Sequence, residues 1–416
     1  MDEKKTQNQS PKALAWKRFR SNKLGMVSCG FVLLWALLAL FAYLIIPDKT
    51  PNANRQILEI STKKPGFEVD MLMVPKETPP AKTSFFKFLF EGRPDDCIYL
   101  PFDSIHVDAN QTIVYLYQAE ESRNVRTEII GNEEFIKGGP STGSTTLDSD
   151  SRFASLRGTK QSRSVGPSTG SGTAVFASAE EADTYIRSHC VKHRKFLLGT
   201  DQFGRDFLSR LVLGSRISLT VGFIAVLLSL MIGIVMGSLG GFFRGKVDDA
   251  VVWFINVVWS IPTLLLVIAI TFALGKGIAQ VFIAVGLTMW VEVARIVRGQ
   301  ILSIRETTFV EAGRALGFKD LRIIFRHILP NILNPIIVVS AANFASAILL
   351  EAGLSFLGIG VQPPMPSWGS MIKENYAFII LDAAYLAILP GIAIMLLVLA
   401  FMLIGNALRE ALDVKN

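Results

Sequence analysis

A run of 23 residues without a charge, Leu24–Ile46, constrains this chain more than any other feature. About 20 apolar residues, at 1.5 Å per residue, cross the hydrocarbon core of a bilayer. The run follows a polar, basic stretch, 1–23, that includes Lys12, Lys17, Arg18, Arg20 and Lys23. A cleaved signal peptide has a shorter apolar region and ends at a small-x-small site. This run ends Ile45-Ile46-Pro47-Asp48, so an uncleaved transmembrane helix is expected over 24–46. Charge-poor stretches recur after Arg216, at about 217–243, 249–274, 277–297, 333–350 and 384–408, which brings the expected spans to six.

Between the first two spans, 47–196 reads as a water-exposed segment. Cys97–Phe102, Ser104–Val107 and Thr112–Tyr117 are short and rich in Ile, Val and Tyr, as strands are. The stretch 138–175 is rich in Gly, Ser and Thr and repeats Gly-Pro-Ser-Thr-Gly at 139–143 and 166–170. Such a composition buries too little surface to offset backbone entropy, so a flexible loop is expected. Ser178-x-x-Glu181 is a capping-box pattern for a short helix reaching about Cys190.

Composition agrees with this division. Half the residues are hydrophobic and mean hydropathy is +0.40, which excludes a disordered or tail-like polypeptide. The net charge of +7 is read as membrane topology and not as nucleic-acid binding. Arg244 and Lys246 sit in one short turn, and Arg295, Arg298, Arg305, Arg314, Lys319, Arg322 and Arg326 in the loop 295–333. The loops at 275–277 and 351–383 carry only Lys276 and Lys373. Positive-inside topology then places both termini and 295–333 in the cytoplasm, and 47–196 outside.

Several patterns have a plain reading. Gly240-x4-Gly245-Lys246 is followed by Val247, which lacks the hydroxyl a phosphate-binding loop uses on Mg²⁺; a tight turn is expected. Gly233, Gly237 and Gly241 share one helix face and suit close helix packing. His189 and His193 are four apart and would share a metal only on a helix; no third ligand stands at useful spacing, so coincidence is expected. Cys97 and Cys190 would pair only in an oxidising compartment, and Cys29 reads as apolar filler. The spans carry almost no ionisable residues in their middles, Glu292 and Arg295 lying toward the inner end of the fourth, whereas ion-coupled carriers need them, so energy is expected to enter from elsewhere.

The loop 295–333 is amphipathic and helical in pattern. Glu311 is expected to begin a short helix, Gly317 to end it, and Leu329-Pro330 to close the segment. A basic face on anionic lipid is one reading; a rigid lever docking on a cytoplasmic partner is the other.

These residues resemble the coupling loop of ABC importer permeases, Glu-Ala-Ala-x3-Gly-x9-Ile-x-Leu-Pro. Glu311, Ala312, Gly317, Leu329 and Pro330 match; Gly313 replaces the second Ala, Arg314 follows it, and His327 stands at the Ile position. The ending His-Ile-Leu-Pro-Asn resembles the peptide-transport branch. Leu198-Gly-Thr-Asp-Gln-Phe-Gly-Arg-Asp206 is similar to the entry to the second helix of C-type oligopeptide/dipeptide permeases. The stretch from Glu351 to Gly369, with Ser355, Gly358, Gly360, Pro363, Pro364 and Trp368, is similar to their last external loop.

The resemblance implies an all-α polytopic protein of the type I ABC importer permease fold, with six transmembrane helices. A largely β or irregular extracytoplasmic insertion lies between helices 1 and 2, the permease core covers 197–408 and a cytoplasmic tail covers 409–416. It further implies a non-catalytic subunit in the bacterial inner membrane, paired with a B-type permease, two cytoplasmic ATPases that use ATP and Mg²⁺, and an extracytoplasmic peptide-binding protein. The chain itself would bind no cofactor. Asn343, Ser346 and Ser355 are the expected pathway-lining residues. Nickel or glutathione import, an ATP-independent channel and a membrane-anchored sensor are the alternatives. The insertion is about a hundred residues longer than the connection usual in the family; docking of the binding protein or the sister permease is its expected role.

Overall fold

The computed structural model describes residues 11–412 apart from 79, 81–82, 119–125, 137–175, 177 and 276. The expected loop 138–175 lies outside the described residues. The chain forms two compact units. One comprises Met1–Arg55, Ser84–Gly92 and Arg205–Asn416; the other comprises Gln56–Thr83 and Arg93–Gly204.

The first unit begins with α1 (Pro11–Ser21), α2 (Lys23–Leu40) and α3 (Ala42–Ile45). The Asn22 side chain starts α2 by accepting from the Gly25 amide at 3.0 Å, which satisfies one of the four free N–H groups of the first turn. A further short helix of this unit, α4 (Phe85–Glu91), lies within the segment read from sequence as water-exposed.

The second unit is a five-stranded antiparallel sheet of β1 (Phe67–Pro75), β2 (Cys97–Val107), β3 (Gln111–Leu116), β4 (Thr127–Gly131) and β5 (Val191–Phe196), in the order β4-β3-β2-β1-β5. The two strands expected at 97–102 and 104–107 are one strand, irregular in register between Phe102 and Ser104. One cluster joins Leu72, Phe102, Ile105 and Val114 to α5 (Ala179–Tyr185) through Ala182 and Ile186. The Ser178 hydroxyl caps α5 by accepting from the Glu181 amide, and a π-turn carries the helix on to Cys190. His189 stacks on Tyr185, while His193 lies on β5 against Asp70. A change from helix to strand thus separates the two histidines, and the described residues hold no cluster with metal-ligand composition. None of the three cysteines is in a disulfide.

The rest of the first unit runs α6 (Phe207–Phe243), α7 (Gly245–Trp259), α8 (Thr263–Leu274), α9 (Ile278–Ile304), α10 (Thr308–Ala315), α11 (Asp320–Ile323), α12 (Leu333–Phe356), α13 (Trp368–Asn375) and α14 (Tyr385–Leu412). Among the described residues, five helices, α2, α6, α9, α12 and α14, are long and apolar enough to cross a membrane. The stretch expected as a single span at 249–274 is instead the pair α7 and α8, bent by 91°, which makes a sixth span if counted together. Pro262 caps α8 and has no N–H to continue α7, and a proline also disfavours helical backbone at Ile261 before it. The turn between α6 and α7 is tight, with Arg244 and Gly245 both at positive φ.

The glycine face of α6 packs on α9 as its spacing suggested. A Cβ at Gly237 would stand 2.6 Å from the Ala294 carbonyl oxygen and 2.8 Å from Val297. Only a hydrogen side chain lets the two backbones approach this closely.

Candidate functional site

α10 is the exposed helix of the loop 295–333. It begins at Thr308, three residues before Glu311, with Thr307 as its cap, so Glu311 lies in its first turn and not at its start. Negative charge there suits the partial positive charge of a helix N-terminus. The helix ends at Gly317. The Gly317 amide bonds the Arg314 carbonyl at 2.8 Å and the Phe318 amide bonds the Gly313 carbonyl at 3.0 Å, the paired bonds of a left-handed helix cap. Gly317 has φ +73°, and nothing lies within 4 Å of where its Cβ would stand. Backbone conformation, and not crowding, selects glycine here.

The faces of α10 are unlike. Val310 and Gly313 point inward; Glu311, Ala312, Arg314 and Gly317 are exposed. Val310 joins Phe242, Val297, Ile301, Ile323, Ile324 and Ile328 in one apolar cluster. Phe242, at the end of α6, is 3% exposed. Its carbonyl accepts from Arg305, and the Arg314 guanidinium stands 5.2 Å from its ring. His327 stacks on Phe318 with ring centroids 5.8 Å apart. Leu329 and Pro330 form the short turn that leads into α12. Phe309, Leu316, Leu321 and Phe325 are all exposed around the segment, an apolar surface that the sequence motif does not mention.

Beneath this segment, Arg298 makes a two-pronged ion pair with Asp248, its second bond at 2.7 Å, which ties α9 to α7. Arg244 and Glu306 form a second, exposed pair.

The far ends of the spans hold a polar cluster. Glu351 is fully buried at the end of α12. Its carboxyl oxygens accept from Ser218 of α6 at 3.0 Å and from Ser355 at 2.8 Å. The Ser355 oxygen also accepts the Val361 amide at 3.1 Å, which fixes the loop after α12. Arg205 and Arg210 both meet Glu374 of α13, at 2.6 and 3.4 Å. Neither glutamate was foreseen. The expected span stopped at Leu350, one residue short of Glu351, and the Ser355 hydroxyl four residues on was the available signal.

The three expected pathway residues do not meet in one place. Asn343 is 1% exposed, and neither atom of its amide has a hydrogen-bond partner among the described residues. Ser346 is exposed one turn away, and Ser355 belongs to the Glu351 cluster.

The motif from Gly358 to Gly369 builds a folded turn. Trp368 is fully buried, donates its indole N–H to the Leu211 carbonyl at 2.9 Å and meets Trp35 edge-on at 5.3 Å. A Cβ at Gly369 or Gly360 would strike α12 at Ala352 or Ser355. Gln362 bridges the Gly358 and Gly360 carbonyls, and Pro363 and Pro364 are exposed. The entry motif is likewise structural. In the sheet unit, Thr200 bonds the Ile60 carbonyl, and Gly204 lies against the Ile57 carbonyl where no Cβ fits. In the helical unit, Asp206 caps α6 at the Ser209 amide.

Comparison with known proteins finds two family matches. Residues 229–415 match the family described as "Binding-protein-dependent transport system inner membrane component", and residues 10–62 match "N-terminal TM domain of oligopeptide transport permease C". A glutathione transport system permease protein of Pectobacterium atrosepticum is 42% identical over 218 residues, covering 52% of this chain and 72% of the relative. A dipeptide transport system permease protein of Alkalihalophilus pseudofirmus is 43% identical, covering 52% of this chain and 71% of the relative. Among solved structures, an inward-facing methionine ABC transporter matches with a TM-score of 0.42 and 20% identity, over 50% of this chain and 97% of that one. With matched segments on both sides of the sheet insertion and helices that carry the family's motifs, the chain belongs to the binding-protein-dependent ABC importer permeases of the oligopeptide/dipeptide family, as a non-catalytic membrane subunit.

Proposed function

We propose that this chain pairs with a B-type permease subunit in the bacterial inner membrane, with both termini cytoplasmic, and forms half of a pathway for short peptides. An extracytoplasmic binding protein delivers the substrate. Two ATPase subunits, which hold ATP and Mg²⁺, dock on α10 and its exposed neighbours. Di- and oligopeptides are the first substrate reading, and the glutathione permeases among the relatives favour a second, glutathione itself a short peptide.

The observation that carries this reading is the two-faced α10. Its outer face offers Glu311, Ala312, Arg314 and Gly317, with Leu316 71% and Leu321 63% exposed. Its inner face is packed into the end of α6 through Val310 and Phe242. A partner that grips the outer face therefore moves α6 through the inner one. Ligand affinity alone does not drive transport uphill; ATP must bias the two states of the permease differently.

Gly317→Asp tests the coupling. The site is open and aspartate tolerates left-handed backbone, so the fold survives while a charge enters the docking face. Uptake by the reconstituted complex, and stimulation of its ATPase by loaded binding protein, are expected to fall together. Wild-type values for both refute the assignment of α10 as the coupling helix. Competition between labelled dipeptides, longer peptides and glutathione decides the substrate.

A further inference from the structure

α4 lies in the insertion, between the two family-matched segments, and yet it is part of the membrane unit. Its sequence is Phe85-Phe-Lys-Phe-Leu-Phe-Glu91. Leu89 is buried, and Phe88 packs against Tyr43 of α3. Gly92 ends the helix at φ +79°, where a Cβ would stand 2.7 Å from both the Lys49 carbonyl oxygen and the Tyr43 ring. The helix is therefore seated closely on the end of the first span. Its remaining aromatics are largely exposed, Phe85 by 62%, Phe86 by 72% and Phe90 by 57%, with the Arg216 guanidinium of another helix 5.9 Å from the Phe90 ring.

Arg216 fixes the level at which α4 sits. Its guanidinium donates to the Ala39 and Leu40 carbonyls at the end of α2 and also to the Leu89 and Phe90 carbonyls of α4. One planar group thus holds two helix C-termini side by side, and a cation is favourable at both. Arg216 is also the last charge before the apolar stretch of α6, so it marks the border of the bilayer on that side. The exposed phenylalanines belong to the helix held at this border, whose Phe88 packs on Tyr43 of α3, and Phe41 after α2 and Leu44 and Ile45 of α3 are exposed as well.

We propose that α4 is an interfacial helix whose Phe85, Phe86 and Phe90 enter the lipid surface next to the end of the first span. The apolar flank continues the lipid-facing surface of that span. The charged Lys87 and Glu91, an i,i+4 pair at 3.7 Å, keep contact with headgroups and water. Aromatic rings at this depth remove their area from water without crossing the membrane. The insertion is then attached to the bilayer by a short foot as well as by the chain that enters and leaves it.

The test uses the full chain in its complex, reconstituted in phosphatidylethanolamine–phosphatidylglycerol vesicles. A bimane label at Phe86→Cys, with the native cysteines replaced by serine, is quenched by spin-labelled lipid near the headgroup or by aqueous iodide. The expected result is strong lipid quenching, with iodide quenching several-fold weaker than for a label at Ile129→Cys on the exposed edge of the sheet. Iodide quenching equal to that of the Ile129 site overturns the proposal by placing α4 in water. Protection from both quenchers overturns it by placing α4 under protein, a sister subunit or a second copy. Photolabelling of the unmodified chain by a diazirine lipid is independent of the cysteine background. Labelling of 85–90 alongside 41–45 supports the proposal, and labelling of 41–45 alone overturns it.

Discussion

The two ends of α6 are held by different physics. At its N-terminal end the contacts are polar and buried: the Arg205 and Arg210 side chains are 3% and 1% exposed and converge on Glu374, while Ser218 bonds the buried Glu351. At its C-terminal end Phe242 lies among Val297, Ile301, Val310 and Ile324, with Arg314 over its ring. Buried hydrogen-bonded polar groups and ion pairs hold one geometry, because directional bonds weaken steeply on displacement. Aliphatic and ring contacts permit small sliding shifts at low cost. One end of α6 is thus built to stay in place and the other to yield. The yielding end is the one joined to α10.

Changes at four positions test this contrast. Glu374→Ala removes the carboxylate shared by two buried guanidinium groups, and breaking such an arrangement costs about 3–5 kcal/mol. A thermal melt of the purified complex should show the largest loss for this variant, and a near-wild-type melt would break the contrast outright. Glu351→Ala leaves the buried Ser218 and Ser355 hydroxyls without their acceptor, at about 1–3 kcal/mol in all, since a helical serine can turn to a carbonyl of the preceding turn. Glu351→Gln should recover much of that loss, since its amide oxygen still accepts.

Phe242→Leu should cost only about 1 kcal/mol in the melt, because a similar apolar shape still fills the cluster. Its main effect is expected in uptake per ATP hydrolysed, since the ring under Arg314 is gone. A large drop in melting temperature with coupled transport intact would reverse the roles assigned to the two ends. The smallest effect is expected for an exposed pair in the sheet unit. Asp70, with Glu68 beside it, raises the affinity of His193 for its proton. The folded imidazole therefore titrates above its unfolded value. Its contribution is fully present below the unfolded pKa and fades as pH rises through the folded one. Solvent screening at this exposed site keeps that change small. A pH-dependent melt lost with His193→Gln and comparable to that of Glu374→Ala would show that burial is not what separates the cases.

Much of this was legible in the sequence, for reasons that can be located. Charge-free runs marked the spans, since lipid excludes charge whatever the tertiary contacts. The glycine stripe of α6 forecast its contact with α9, because glycines at i, i+4 leave one groove open. Gly317 forecast the end of α10, since left-handed backbone there selects glycine locally. The sheet was half legible. β2 and β3 carry the apolar residues of strands, but β5, Val191-Lys-His-Arg-Lys-Phe196, reads as a polar segment until β1 pairs with it. The break between α7 and α8 had its signal in Pro262, within an apolar stretch that otherwise reads as continuous. The motif around Trp368 gave its residue types but not their use, because burial against Trp35 and Leu211 is a contact across the chain.

The sequence by itself determined that the chain enters the membrane, where its apolar spans lie, and which family motif its 295–333 loop carries. These properties follow from composition over windows of about 20 residues and from local backbone preference. The tertiary structure alone decided that Glu351 and Glu374 are enclosed, that Phe242 joins α10 to α6, and that Phe85–Glu91 leaves the insertion to sit beside the first span. Each depends on residues far apart in the chain meeting at one point. Arg216 holding carbonyls of 39–40 and 89–90 together has no trace in local pattern, because hydrogen bonds between distant segments are set by packing and not by spacing.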